Sequence, residues 1–138
     1  MNMKDFPEFE IFQDFNGTQI KFQYALLDTG TFFSLKAIED SKKDLIRIFS
    51  SYDNVSLANT LEKIRKTIKE ELNRRYFTES DNDKFNEMNF DYFRGNISEN
   101  SDSQTCLIVD GKEMSMNDFE KLISPYNGFR IEVKIFEE

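Results

Sequence analysis

The stretch from Gln104 to Phe136 constrains the fold more than any other part of this chain. Residues Thr105 to Val109 are apolar or β-branched, which is typical of a short buried strand. Asp110-Gly111 then predicts a tight turn, because glycine adopts a positive φ without a Cβ clash. The segment therefore begins as a strand that ends in a turn.

A helix and a second strand are predicted to complete this unit. Ser115 is placed to cap the N-terminus of a helix that runs to Ser124, and Asp118 completes a capping box with it. Pro125 stops that helix, and Asn127-Gly128 turns the chain. Apolar and charged residues then alternate strictly from Phe129 to Ile135, which predicts a last strand with one wet face.

An antiparallel meander is predicted near the N-terminus. Strands over Glu8–Phe12, Thr18–Leu26 and Phe32–Ile38 are separated by turn signals at Asn16-Gly17 and Asp28-Thr29-Gly30. The second strand has the clearest alternation, with four residues on its apolar face: Ile20, Phe22, Tyr24 and Leu26. Its other face carries polar side chains, so we expect one face of the sheet to be covered and the other to be wet.

A fourth strand and a long helix follow. Leu45 to Phe49 is short and β-rich, which favours a strand. The helix is predicted from Ser56 to Phe77 by one apolar stripe: Leu57, Leu61, Ile64, Ile68 and Leu72. A chain of 138 residues fits one domain. We therefore predict a single α+β domain over residues 1–138, with an antiparallel sheet of about five to seven strands and one long and one short helix packed on one face.

Residues 78–103 are rich in Asn, Asp, Glu and Ser, which predicts a mobile acidic loop. A candidate interaction surface combines carboxylates of this loop with two cations of the long helix: Asp81, Asp83, Glu87, Asp91, Lys66 and Arg74. Carboxylates on a surface can steer a basic partner toward it. The alternative is a solvated loop and a solvated helix face, in which the helix cations pair with interleaved glutamates.

The charge of the chain limits its partners. Residues 78–138 carry six basic against fourteen acidic residues, a net charge of −8 that equals the net charge of the whole chain. Binding to duplex nucleic acid or to an anionic membrane needs a basic surface. The sequence therefore favours a basic protein partner over either of these.

Catalytic machinery is sparse in the sequence. The chain has no histidine, and its single cysteine, Cys106, lies inside a predicted strand. No nucleophile elbow, phosphate-binding loop or dinucleotide-binding motif is present, so we predict no catalytic residue, no cofactor and no metal site. A small enzyme that uses only carboxylates, or a ligand-binding domain, stays open as an alternative.

The compartment is predicted from the same features. A lone cysteine is typical of a reducing cytoplasm. The chain lacks an apolar run long enough to cross a membrane or to act as a signal peptide. We therefore expect a soluble cytoplasmic protein.

The C-terminal unit resembles the end of a family of uncharacterised bacterial domains. The resemblance lies in the turn that begins at Asp110-Gly111-Lys112-Glu113, in Phe119 of the capped helix, and in Tyr126-Asn127-Gly128-Phe129 before the last strand. It implies a shared fold and no particular activity. With the charge pattern, it favours a non-enzymatic cytoplasmic binding protein. An acidic immunity-like inhibitor of a basic partner and a homodimer are the other interaction hypotheses.

Overall fold

The structure is a computed structural model that describes residues 3–41 and 45–137. Its strands in the first half of the chain are β1 (Phe9–Gln13), β2 (Gln19–Asp28), β3 (Phe33–Glu39) and β4 (Ile48–Asp53). Those in the second half are β5 (Phe77–Ser80), β6 (Asp83–Met88), β7 (Asn96–Glu99), β8 (Thr105–Val109) and β9 (Lys112–Met114). The helices are α1 (Leu57–Asn73) and α2 (Met116–Ile123), with 3₁₀ turns at Met3–Asp5 and Ser124–Tyr126.

The described residues form two compact units. The first unit comprises 3–41, 46–74 and 136–137, and the second comprises 75–135 with Leu45. Each unit has its own cluster of buried side chains. The prediction that the chain is a single domain stays a prediction.

The first unit is a four-stranded antiparallel meander covered by α1. The strand order is β1-β2-β3-β4, with register pairs such as Phe22 with Glu39 and Ala37 with Phe49. The predicted apolar stripe of α1 faces this sheet, and its five residues are at most 7% exposed. In this core Ile20 and Phe22 of β2 are buried and Tyr24 and Leu26 are partly buried, which confirms the meander and the helix face.

Helix α1 begins where the sequence has a good cap. The Ser56 hydroxyl accepts a hydrogen bond from the Asn59 N–H at 3.0 Å. The Asp53 carboxylate accepts from the N–H groups of Val55 and Ser56, so it fixes the chain just before the helix. The bonds to the Asn59 and Ser56 N–H groups satisfy donors that a helix start leaves without intrahelical partners.

The end of α1 differs from the prediction. The helix ends at Asn73, and Arg74 already has extended backbone, whereas the sequence predicted helix to Phe77. Tyr76 and Phe77 are buried in the second unit, and their N–H groups bond to the Asp110 carboxylate. Tertiary contacts that no local pattern reveals therefore end the helix early.

The second unit contains the β5–β6 hairpin, a three-stranded sheet and α2. The three strands are antiparallel in the order β7-β8-β9. Ser115 and Asp118 form the predicted capping box, with both reciprocal bonds at 3.0 Å. The unit's core is largely aromatic: Tyr76, Phe77, Phe85, Val109 and Met114, with Phe93, Phe119 and Leu122 packed against it.

The single sheet of five to seven strands is wrong. The described strands form antiparallel sheets of four, two and three strands. Helix α1 packs on the four-stranded sheet and α2 packs beside β9, so the two helices do not share one sheet face. Alternation predicts strands and faces, but it does not say which strands pair.

The acidic segment 78–103 contains most of β5, all of β6 and all of β7. Strand β7 begins at Asn96, directly after Gly95. A Cβ added at Gly95 would lie 2.8 Å from the Ile108 carbonyl oxygen and 2.8 Å from Val109 Cγ2. Glycine is therefore needed where the chain approaches β8. Whether any of this segment is mobile stays a prediction.

The predicted last strand is not present. Residues 129–137 are not assigned to any strand. Four of their apolar side chains are highly exposed: Phe129 at 76%, Ile131 at 65%, Val133 at 72% and Ile135 at 78%. A strand forms only where a neighbouring strand offers its own N–H and C=O groups, and this condition cannot be read from alternation. Across the described ranges, no helix is long and apolar enough to cross a membrane.

Candidate interaction surface

The four candidate carboxylates lie together in the second unit. Asp81 is in the turn between β5 and β6, Asp83 and Glu87 are on β6, and Asp91 is in the bend that follows. All four are exposed. The hairpin thus presents negative charge on consecutive parts of one short element.

The two candidate cations belong to the first unit. Lys66 is exposed on α1, and Arg74 is the half-buried residue that follows the helix. Neighbouring cations of α1 are held in ion pairs within this unit, Lys63 with Asp53 at 2.9 Å and Arg65 with Glu10 at 2.7 Å. Part of the positive charge of α1 is therefore neutralised by carboxylates of its own sheet.

Local contacts hold the acidic hairpin in place. Asp83 accepts a hydrogen bond from the Phe85 N–H at 3.0 Å, and Lys84 Nζ donates to the Glu113 carbonyl at 2.6 Å. Glu79 pairs with Lys112 on β9. Among residues 3–41 and 45–137, no group of three or more Cys, Asp or Glu side chains is placed to hold a metal ion.

An aromatic cluster borders these carboxylates. The buried Tyr76 ring lies edge-on to Phe90 and Tyr92, with ring centroids 6.1 Å and 6.0 Å away. Phe90 and Tyr92 are 43% and 42% exposed, and the Arg94 guanidinium lies 5.8 Å from the Tyr92 centroid. Half-exposed aromatic rings of this kind often anchor protein partners. No local sequence pattern predicts that these rings come together.

Asp110 has a role that the sequence did not predict. Its carboxylate accepts from the N–H groups of Tyr76 at 2.9 Å and Phe77 at 2.8 Å, so it ties the start of β5 to the β8–β9 turn. Burial raises the pKa of this carboxyl, although the two bonds and Arg75 oppose the shift. An Asp-Gly pair signals a turn, but it carries no sign of a bond to residues more than 30 positions earlier.

Tyr24, Glu10 and Arg65 form a hydrogen-bonded network in the first unit. Tyr24 Oη donates to Glu10 at 2.6 Å, and Arg65 donates two bonds to the same carboxylate at 2.7 Å. Burial raises the pKa of Glu10, but the bonds from Arg65 and Tyr24 outweigh this and lower it overall. Burial and the Glu10 carboxylate both raise the pKa of Tyr24. The network joins β1, β2 and α1 and gives Glu10 a structural role.

Cys106 is fully buried in β8, and burial raises the pKa of its thiol. A thiol with a raised pKa is a weak nucleophile, because the thiolate is the reactive form. Its position is that of a small side chain in the core.

A shallow depression lies on α2. It is lined by Asn117, Glu120, Lys121 and Ser124, so it contains one carboxylate. General acid–base chemistry by carboxylates needs two that converge. This depression therefore does not supply the pair that the enzyme hypothesis requires.

Within the described ranges, a run of exposed apolar side chains alternates along residues 129–135, which we call the C-terminal segment. Its four apolar residues are between 65% and 78% exposed. The Phe129 ring lies edge-on to Tyr126, which is itself 46% exposed, with centroids 5.5 Å apart. The exposed apolar surface thus continues from this segment to the turn after α2. Exposed runs of this kind mark interaction sites more often than isolated apolar residues do.

Residues 76–138 match the model of one protein family, which is described as Domain of unknown function (DUF7713). The match begins at Tyr76, one residue after the second unit begins, and it includes the acidic hairpin and the C-terminal segment. No curated protein and no solved structure matches this chain significantly. The expected similarity to an uncharacterised family is confirmed at this level, and its shared motifs and bacterial origin stay predictions.

Proposed function

We propose that this protein is a non-enzymatic interaction protein that binds other proteins through its second unit. The observation that carries the proposal is the C-terminal segment, in which four alternating apolar side chains are exposed in one run. Exposing such a run to water is unfavourable by about 25 cal/mol per Å² of apolar surface. A protein partner that covers the segment would remove this cost.

The half-exposed rings of Phe90 and Tyr92 support the same proposal. Both rings pack edge-on against the buried Tyr76 ring, which restricts their motion before a partner arrives. Rigid aromatic side chains lose little conformational entropy on binding, which makes them effective anchors. The second unit therefore offers two apolar contact surfaces of different shape.

The proposal is tested by crosslinking in native lysate with wild type and with Ile131→Asp/Val133→Asp as the variant. We expect the wild type to form crosslinked protein complexes and the variant to lose them, because a charge in the contact would be desolvated. Lys36→Asp on the exposed face of β3 serves as a control that adds a carboxylate elsewhere. Complexes that survive in the variant, or a wild type without complexes, would contradict the proposal.

A second candidate function is an acidic inhibitor that binds a basic partner. The observation in its favour is the exposure of Asp81, Asp83, Glu87 and Asp91 on one hairpin and the bend after it. We expect binding to such a partner to weaken steeply with salt and after neutralisation of these four residues to Asn or Gln. Capture that is insensitive to both changes would count against this candidate.

A further inference from the structure

We propose that the C-terminal segment pairs with the same segment of a second copy of this chain, as an antiparallel ribbon centred on Ile131. This inference rests on the proposed function and names the partner. The segment is not assigned to any strand, although its residues alternate as in one. The Phe129 N–H already bonds to the Tyr126 carbonyl at 2.9 Å. From Arg130 to Ile135, a second copy would offer backbone groups of the same spacing, which is the requirement for β-strand addition.

The charges of the segment select the antiparallel direction and the register. Centring the ribbon on Ile131 places Arg130 opposite Glu132 twice, because the pairing is symmetric. Centring it on Glu132 would place Arg130 opposite Lys134 and the two Glu132 residues opposite each other. Like charges directly across a strand pair are destabilising, and opposite charges stabilise it. A parallel ribbon in register would repeat every like-charge contact.

The apolar side chains agree with the same register. Residues directly opposite each other point to one face, so Phe129 lies opposite Val133 and Ile131 lies opposite its own copy. Aromatic and β-branched side chains are favourable cross-strand pairs. The ribbon thus has one apolar face, and Tyr126 extends that face through its contact with Phe129.

A register centred on Val133 is the main competitor, since it pairs Glu132 with Lys134. A ribbon of the same nine-residue length in this register would extend through Phe136 and Glu137, which belong to the first unit. A hydrogen bond between Glu137 and the Tyr52 hydroxyl already raises the Tyr52 pKa there. The ribbon centred on Ile131 needs only residues 127–135, so it leaves these contacts intact.

The expected dimer is weak. The contact consists of two short strands with a few neighbouring side chains, and it falls below the roughly 800 Å² per partner of a standard interface. A two-stranded ribbon is marginal in water without further packing. We therefore expect a monomer–dimer equilibrium that depends on concentration.

Sedimentation velocity over a wide concentration range tests the dimer and its register. Arg130→Glu places carboxylates opposite each other twice, and we expect it to weaken the dimer by about tenfold or more. Arg130→Glu/Glu132→Arg restores both pairs and should return the dissociation constant to within about twofold of wild type. Lys134→Glu is the matched control, because Lys134 lies opposite the uncharged Gly128. This substitution should change the dissociation constant by no more than about twofold.

Other outcomes would overturn the inference. A wild type that is monomeric at every concentration contradicts it, as does an Arg130→Glu variant that dimerises normally or a double variant that is not rescued. A strong effect of Lys134→Glu would instead favour the register centred on Val133. Circular dichroism shows whether each variant is folded, and hydrogen exchange should show protection of the segment's amides only in the dimer.

The experiment separates this inference from the proposed function. A monomeric wild type that still forms complexes with other proteins, lost in Ile131→Asp/Val133→Asp, would overturn the second copy as partner and leave the interaction role standing. A monomeric wild type without complexes would overturn both.

Discussion

Strand β2 and the C-terminal segment have the same sequence pattern and opposite environments. In β2 the alternating residues Ile20 and Phe22 are at most 9% exposed, whereas Phe129 and Ile135 of the segment are at least 76% exposed. Strand β2 lies between β1 and β3, which pair with both of its edges. The segment has no such assignment. Alternation therefore determines which face is apolar, and the neighbouring strands determine whether that face is buried.

The two helices repeat this contrast. Helix α1 buries six residues, which form its interface with the four-stranded sheet. Helix α2 has a complete capping box, yet none of its residues is fully buried. Local signals start both helices equally well. Burial of the apolar stripe against a sheet is what distinguishes them, and most helical stability in proteins has this origin.

The largest difference in stability is expected between substitutions at Phe22 of β2 and at Phe129 of the C-terminal segment. Both residues lie on the apolar face of an alternating pattern. Phe22→Ala should lower the free energy of unfolding by about 3–5 kcal/mol, because it leaves a cavity in a packed core. Phe129→Ala should change it by less than about 0.5 kcal/mol at low protein concentration. Urea unfolding followed by circular dichroism measures both. Equal losses would mean that the segment is packed like β2.

A smaller loss of stability is expected at Asp110. Its carboxylate joins two parts of the second unit that are distant in the sequence. Asp110→Ala should lower the free energy of unfolding by about 1–3 kcal/mol, because the Tyr76 and Phe77 N–H groups lose their acceptor. Faster hydrogen exchange at these two amides should accompany the loss. Asp81→Ala, at an exposed turn, is the control and should leave both measurements unchanged.

The helix caps should respond differently to the same change. Ser56→Ala and Ser115→Ala each remove one capping bond, worth about 1 kcal/mol. We expect α1 to stay helical, because its buried stripe holds it on the sheet. Helix α2 should fray, since it has no fully buried residue. Hydrogen exchange of the two helices distinguishes these outcomes, and equal protection in both variants would contradict the comparison.

The two units should also respond oppositely to acid. The Ser56 N–H, the Lys63 ammonium and the Val55 N–H hold the Asp53 pKa at about 2, below its ordinary 3.8. Its stabilising contribution is present above pH 3.8 and is lost as the pH falls toward 2. The pKa of Asp110 is raised in the folded state. The contribution of Asp110 to folding stability therefore becomes more favourable as the pH falls through its folded-state pKa.

Substitution separates these two titrations. Asp53→Asn should make stability decline less steeply on acidification, and Asp110→Asn should make it decline more steeply. The urea midpoint measured between about pH 6 and about pH 2 gives both slopes. A change of the same sign in both variants would show that the assignment of the two carboxyls is wrong.

Sequence patterns were most successful where the decisive contact is local. The Ser115–Asp118 capping box and the hairpin turns at Gly17 and Gly30 depend on residues within a few positions of each other. The apolar face of β2 and the stripe of α1 follow from the periods of strand and helix. The predicted end of α1 was wrong, because the N–H groups of Tyr76 and Phe77 bond to the distant Asp110 carboxylate and not within a helix.

The candidate interaction surface was also predicted only in part. Composition placed Asp81, Asp83, Glu87 and Asp91 in one acidic stretch, and the structure places them on one hairpin and the bend after it. No local pattern signals that the rings of Phe90 and Tyr92 rest on Tyr76, because that contact joins distant positions. The structure also assigned Lys66 and Arg74 to the other unit, which composition could not foresee.

The sequence by itself determined part of this protein: the three strands of the meander, strand β8, the start of both helices, the apolar faces of β2 and α1, and where the negative charge lies. Only the tertiary structure decided that the strands form three sheets and that the last alternating segment stays exposed. The physical reason is that the period of a pattern is set by local geometry, whereas pairing depends on backbone groups that are distant in the chain.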